Sequence, residues 1–231
     1  MVTKQIEHKG HRYNVRPDTL DEWVVGEVWT PREYASAMNL GPDDVVLDAG
    51  ANIGAFSVLA ASCGARVVGF EPDPENFAIA ESNVTLNGYD DRVQLHNVGL
   101  WTHDDEMRLY INPRNRGMAT LRRVRGRSSV VVPLRSFADV LRKVDPTKIK
   151  MDVEGAEYPI FMAVEDWHNV ELIRMEWHIA VLKDQRWLKL QRMIDRLQSF
   201  GFVLTGEDGF PRPGRGRGGW VRDTMITVRR A

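Results

Sequence analysis

Val45-Val46-Leu47-Asp48-Ala49-Gly50-Ala51-Asn52-Ile53-Gly54-Ala55-Phe56-Ser57 decides how this chain of 231 residues is read: an apolar run enters a glycine turn and leaves as a helix. The run is bounded by Gly41-Pro42-Asp43-Asp44 and has the length of a central parallel strand. Gly50 and Gly54 let backbone approach a ligand where a side chain would block it. Twenty-one residues beyond Gly50, Glu71 closes a second apolar run, Val67-Val68-Gly69-Phe70. A carboxylate at that place can accept both hydroxyl hydrogens of a ribose. The two segments together read as a cradle for a nucleotide-bearing cofactor, the alternative being a tight strand-to-helix turn that binds nothing.

The spacing is Asp-x-Gly-x-Asn-x-Gly and departs from the dinucleotide fingerprint. Asp48 stands inside the turn where a pyrophosphate would lie, and a carboxylate repels phosphate while suiting a cation. A dehydrogenase is therefore disfavoured. S-adenosylmethionine fits better: it has a ribose for Glu71, no phosphate, and an ammonium that Asp48 can hold directly or through water. Asp48 can also cap the following helix, and the two roles are compatible.

Length suits one α/β domain with a substantial core. Residues 1–40 read as an N-terminal lid or edge segment and 41–231 as the catalytic domain. Lys plus Arg total 31 against 32 for Asp plus Glu, so the overall field does not steer the chain toward nucleic acid or an anionic membrane. The single cysteine, Cys63, allows no intramolecular disulfide and no cysteine-rich zinc site, which fits a reducing compartment. Its place before Gly64 reads as the buried end of a helix. No signal-peptide core follows Met1 and nowhere do eighteen apolar residues run together, so a cytoplasmic protein with no membrane partner is expected.

From Val45 onward, strand-like runs alternate with helical periodicity, the pattern of a parallel sheet covered on both faces. Strands are expected at 66–70, 93–98, 148–153 and 170–177, and helices at 74–87, 134–144, 156–166 and 186–200. Met107–Ile111 and Val130–Val132 read as an inserted hairpin spanning about 101–133. Phe202–Thr205 and Thr224–Val228 read as a closing antiparallel pair joined through the glycine-arginine segment Pro211–Gly219. In the first forty residues Trp23, Glu27 and Trp29 either pack a lid on the domain or, for Glu27, touch the cofactor.

A second constellation is Lys148-Ile149-Lys150-Met151-Asp152-Val153-Glu154-Gly155-Ala156-Glu157. Lys150, Asp152 and Glu154 alternate, which in an extended segment puts them on one face, with Ile149, Met151 and Val153 on the other. On an interior strand unpaired charge is expensive, so the trio reads as functional. Glu176-Trp177-His178 closes the next strand. His178 is a candidate general base, since free imidazole titrates near neutrality, or a hydrogen-bonding core histidine. Asp152, Glu154, Glu176 and His178 also make a conceivable divalent-cation set, although no metal is the expected state.

These residues together resemble the FkbM family of S-adenosylmethionine-dependent methyltransferases. The resemblance rests on Val46–Gly54, Phe70-Glu71-Pro72, Asn83-Val84-Thr85-Leu86-Asn87 and above all Ile149–Glu157, and spans about Asp44 to His178. It implies the Rossmann-like class I methyltransferase fold, with a seven-stranded, mostly parallel sheet whose last strand is antiparallel and helices on both faces. It implies that Asp48, Gly50, Asn52 and Gly54 line the methionine end of the cofactor, that Glu71 and Pro72 hold its ribose end, and that Asn97 to Gly99 run along its edge. Asp152 falls at the reacting end. The resemblance further implies O-methylation of a hydroxyl on a sugar, natural product or other small metabolite, with S-adenosylhomocysteine as product. Asp152 or His178 would take the hydroxyl proton, and Lys150 and Glu154 would orient the acceptor.

Arg114–Arg127 contains six arginines and no acid; with Arg212, Arg215 and Arg217 it forms an anion-binding rim or merely a solvated hairpin tip. An anionic small acceptor is compatible with the first reading, and RNA or DNA methylation is the rival function. A noncatalytic cofactor-binding protein is the other rival. No residue pattern specifies an assembly, and a homodimer is the default expectation.

Overall fold

The computed structural model describes residues 2–30, 34, 36–112, 115–178, 186–205 and 224–231. Arg114, the 211–219 segment with its arginines and the Trp187 side chain lie outside the described residues. The chain opens with a hairpin, β1 (Lys4–His8) and β2 (His11–Val15), then α1 (Asp21–Val28) and a single turn, α2 (Ser36–Met38). The alternating unit follows: β3 (Val45–Ala49), α3 (Ala55–Ser62), β4 (Arg66–Phe70), α4 (Pro74–Leu86) and β5 (Val93–His96). Next come β6 (Gly99–Trp101), β7 (Asp105–Tyr110), β8 (Ser129–Ser136) and α5 (Phe137–Val144). The last third carries β9 (Lys148–Met151), α6 (Glu157–Ala163), β10 (Leu172–Trp177), α7 (Arg186–Ser199), β11 (Phe202–Leu204) and β12 (Thr224–Arg230).

The main sheet has seven strands in the order β11-β12-β10-β9-β3-β4-β5. β12 runs antiparallel to both its neighbours, and β10, β9, β3, β4 and β5 are mutually parallel. This is the expected class I sheet. Successive residues of β3 feed opposite faces: Leu47 joins Ile149, Phe161 and Trp167, while Val46 joins Phe56, Leu59 and Ile79. A strand buried on both sides is apolar on both faces, which is why 45–47 shows no alternation; Asp48, also buried, is the exception and is paired with Lys150. The chain passes from β3 outward to β5, then returns to β9 on the other side of β3. The strand order therefore reverses between β3 and β9, and open parallel sheets bind ligands at the carboxyl end of such a reversal.

Several boundaries differ from expectation. The strand read as 148–153 stops at Met151, because Glu154 (φ 50°) and Gly155 (φ 99°) turn the chain in the left-handed region. The strand read as 93–98 stops at His96, and Gly99–Trp101 instead pairs in parallel with β8. The inserted hairpin is consequently a three-stranded sheet, β6-β8-β7. The helix read from Leu134 begins at Phe137, where the Ser136 hydroxyl accepts the Asp139 N–H at 3.3 Å; Leu134 belongs to β8. Cys63 is exposed rather than buried, since it follows the last buried turn of α3.

The N-terminal hairpin is docked by two asparagines one turn apart on α4. Asn83 accepts the Asn14 N–H at 2.6 Å and donates to the Ile53 carbonyl at 2.8 Å. Asn87 accepts from Arg12 N at 3.0 Å and donates to its carbonyl at 2.7 Å. Beyond them the Arg16–Asp21 pair is buried, with Nε–Oδ2 at 2.8 Å, and Arg16 also donates to Asn76 at 2.7 Å. These contacts fix the start of α1 over the carboxyl edge of the sheet. Among the described residues, no helix is long and apolar enough to cross a membrane.

Gly50 lies at φ 86°, and a Cβ there would stand 1.8 Å from the Asp152 carbonyl oxygen. Gly50→Ala should destabilise the protein by at least about 3 kcal/mol, combining backbone strain with overpacking. Gly26→Ala should stabilise it by about 0.5–1 kcal/mol, because this helical glycine has nothing within 4 Å of its missing Cβ. Urea unfolding of both variants checks the pair; an unchanged midpoint for Gly50→Ala contradicts the packing described.

Candidate active site

The turn after β3 and the turn after β9 meet over a buried ammonium. Lys150 is 4 % exposed; its Nζ lies 3.3 Å from Asp48 Oδ1 and 3.7 Å from Asp152 Oδ2, and it donates to the Gly50 carbonyl. Burial pushes this ammonium toward deprotonation, but Asp48 and Asp152 outweigh that and its pKa is raised. Asp48 uses its other oxygen to accept the Ser57 hydroxyl at 2.7 Å, tying β3 to α3.

Two clefts open on this platform. The first is lined by Gly50, Asn52, Glu71, Pro72, Gly99 and Leu100, with Arg116, Gly117, Ala119 and Leu121 of the insert opposite. The second is lined by Trp23 and Glu27 of α1 on one side and by Lys150, Glu176 and His178 on the other. Asn52, Gly117, Asp152 and Glu154 belong to both and form the wall between them. Asn52 Oδ1 and Asp152 Oδ1, both buried in this shared wall, have no hydrogen-bond partner among the described residues.

Glu71 is held by two backbone donors, Asn52 N on Oε2 and Asp73 N on Oε1, both at 2.8 Å. Each oxygen keeps a second lone pair. Burial raises its pKa to about 7, against the lowering pull of those two N–H groups. Asn97 does not face the cleft; its amide donates to the Glu71 and Pro72 carbonyls at 2.8 and 3.3 Å and shapes that stretch from behind. Gly54 likewise stands back, its missing Cβ allowing Ala80 of α4 to approach. Asp48 lines neither cleft, because its oxygens are taken by Ser57 and Lys150.

The second cleft is dominated by acids around one imidazole. His178, 3 % exposed, has Nδ1 2.7 Å from Glu157 Oε1. Its Nε2 faces Glu154 Oε2 at 3.5 Å, Asp152 Oδ1 at 3.6 Å and Glu176 Oε1 at 3.9 Å. Burial works against the charged ring, but Glu157, Glu154 and Asp152 prevail and hold its pKa well above the usual value. Glu154 is pushed well above the carboxylate range, first by burial and then by neighbouring acids. Glu157, fully buried at the first turn of α6, was given no role in the sequence reading. Its signal there was a carboxylate opening an otherwise apolar helix, three residues after Glu154.

The insert closes over the first cleft by two ties. Arg116 Nη2 lies 2.7 Å from Oδ1 of Asp73, the N-cap of α4, and the Thr120 hydroxyl donates to the Glu154 carbonyl at 2.7 Å. Arg127 donates to the Met118 carbonyl at 2.8 Å. Arg116 and Arg127 of the basic segment are thus engaged within the fold, whereas Arg122, Arg123 and Arg125 are exposed.

Because folded Glu71 holds its proton more tightly than the unfolded chain does, its contribution to stability is full below pH 4.5 and is lost as pH rises through about 7. Glu71→Gln cannot ionise. Its stability relative to the parent should therefore move in the variant's favour by about 3 kcal/mol between pH 4.5 and pH 8. Urea midpoints across that range test this, and parallel profiles contradict it.

Comparison with known proteins identifies the family. The model of the methyltransferase FkbM domain matches residues 48–204. Methyltransferase sdnD of Sordaria araneosa is 27% identical over 249 residues, covering 90% of each chain. The structure of methyltransferase FkbM from Methylobacillus flagellatus superposes with TM-score 0.52 at 18% identity, over 84% of this chain and 45% of that one. TYW2 of Pyrococcus horikoshii, solved in complex with MeSAdo, superposes with TM-score 0.53 at 15% identity, over 98% of this chain and 70% of that one. The likeness of these two structures is one of fold. The matched span takes in both turns, the insert and His178, and the chain belongs to the FkbM methyltransferase family.

Proposed function

We propose that this methyltransferase uses S-adenosylmethionine to methylate a hydroxyl oxygen of a small metabolite such as a sugar or natural product. The observation that carries this reading is the pair of clefts meeting at Asn52, Gly117, Asp152 and Glu154. A donor in one and an acceptor in the other would touch only across that wall. The family match and a neighbour of the same fold solved with MeSAdo support the choice of cofactor.

When bound, the cofactor supplies an electrophilic methyl group on a sulfonium. The residues around the first cleft fit it. The free lone pairs of Glu71 suit two ribose hydroxyls, Pro72, Gly99 and Leu100 offer an apolar surface for a base, and Asn52 Oδ1, without a partner among the described residues, suits the ammonium. Asp48 acts on the amino-acid end indirectly, by fixing Lys150 and the turn. In the second cleft Asp152 lines the space an acceptor would enter, and its carboxylate is the group to receive the hydroxyl proton. His178, with its raised pKa, serves better as a cation that steadies the surrounding acids than as a base. Lys150 fixes Asp152, and Glu154 and Glu27 border the acceptor. Most of the catalytic work is positioning and exclusion of water.

Calorimetry should show binding of S-adenosylmethionine, none of NAD, and at least about tenfold weaker binding for Glu71→Ala. In a labelled-methyl screen over hydroxylated metabolites, Asp152→Ala should lower turnover by about 10²–10⁴-fold and leave cofactor affinity within a few-fold. Equal loss of both would make Asp152 part of the cofactor pocket. Label entering only RNA or DNA would overturn the acceptor class.

A further inference from the structure

Among the described residues, Asp152, Glu154 and Glu157 converge on the ring of His178, and Lys150 is shared between Asp152 and Asp48. The geometry of that ring is specific. Glu157, itself fully buried, takes Nδ1 at 2.7 Å and thereby aims Nε2 at the other acids. Charge-assisted hydrogen bonds close to about 2.7–2.9 Å. The three carboxylate oxygens around Nε2 instead stand at 3.5, 3.6 and 3.9 Å, and Nε2 makes no hydrogen bond among the described residues. Asp152 Oδ1 is buried and also lacks a hydrogen-bond partner. One atom each of Asp152, Glu154 and His178 lie within 4.8 Å of one another.

We propose that Asp152, Glu154 and His178 bind a divalent cation on the acceptor side of the active site. Ligand atoms about 2.0–2.6 Å from an ion stand roughly 3–4 Å apart along the edges of its coordination shell, and the Glu154 and Asp152 oxygens stand 3.5 and 3.6 Å from His178 Nε2. Two carboxylates and one imidazole suit Mn²⁺ or Mg²⁺, with zinc as the borderline competitor. Glu157 plays the supporting part, holding the far ring nitrogen as carboxylates do behind metal-bound histidines. The ion replaces the proton of His178 as the positive charge in the cluster.

The remaining coordination positions face the cleft that also presents Glu27 and Trp23. Resting on the methyl-transfer reading, the ion there takes the acceptor hydroxyl as a ligand and makes its proton easier to lose. Asp152 then divides its oxygens: Oδ1 toward the ion, and Oδ2, 3.7 Å from Lys150, for the departing proton.

Chelator-treated full-length protein titrated with Mn²⁺, followed by electron paramagnetic resonance and calorimetry, tests the site without any turnover. One ion per chain should bind, and Asp152→Asn and Glu154→Gln should each weaken it at least tenfold with the fold intact by circular dichroism. Glu157→Gln should weaken it by about 10–100-fold by loosening His178 and the turn that carries Glu154, whose flanking Val153 and Gly155 N–H groups donate to the same Glu157 oxygen. No binding of Mn²⁺, Mg²⁺ or Zn²⁺ at millimolar concentration, or binding unchanged in the Asp152→Asn/Glu154→Gln double variant, overturns the site. Calorimetry with S-adenosylmethionine in chelator separates the outcomes: cofactor binding without metal binding leaves the methyltransferase reading standing and removes only the ion.

Discussion

The buried ammonium of Lys150 is the constraint on which the rest depends. It sits where the sheet reverses direction and answers to three groups at once: Asp48 on β3, the Gly50 carbonyl in the first turn and Asp152 in the second. Removing one partner from a buried ion pair strands the other, at a cost of about 3–5 kcal/mol. The two turns are therefore locked to each other as well as to their strands. The absence of a Cβ at Gly50 lets them touch, and the Asp48–Ser57 bond carries the registration into α3. Glu71 is added to the same frame through the Asn52 N–H.

Around that rigid floor the walls come from elsewhere. α1 arrives by way of the N-terminal hairpin and the asparagines of α4, and the insert arrives from beyond β7 and is tied to Asp73 and to the Glu154 carbonyl. The first cleft thus sets the turns of the sheet against the insert, and the second sets them against an added helix. Charge follows the same division. The first cleft adds Glu71, whose pKa burial lifts to about 7, to the shared Asp152 and Glu154, whereas the second adds Glu176 and His178, whose imidazole pKa the neighbouring acids hold well above the usual value.

The strand, turn and helix at 45–57 were legible because a doubly covered strand, glycines at a close approach and an acid at the next strand end leave distinct marks in sequence. Lys150, Asp152 and Glu154 were legible as a group for a reason that proved incomplete. Alternation holds only to Met151; the left-handed turn at Glu154 and Gly155, not a continuing strand, brings the acid back beside His178. The hairpin at 4–15 escaped notice because its strands are short and polar, with Tyr13 and Val15 alone fully buried. Asp48 and Asn97 read as lining the cofactor, and their side chains bond within the fold, to Ser57 and Lys150 and to the Glu71 and Pro72 carbonyls, since a residue's place beside a turn does not say which way its side chain is spent. Glu157 was missed for the converse reason: a helix-opening acid ordinarily faces solvent, and only the fold puts it against a ring.

The most direct test of the central claim, a donor and an acceptor cleft sharing one wall, is a crystal structure of the protein soaked with S-adenosylhomocysteine. The account predicts ribose oxygens on Glu71, the base beside Pro72 and Gly99, and the amino-acid end at Asn52, with the cleft beneath Trp23 and Glu27 left open. A nucleoside lying in the second cleft against His178, or no ordered ligand between Glu71 and Asn52, would contradict it.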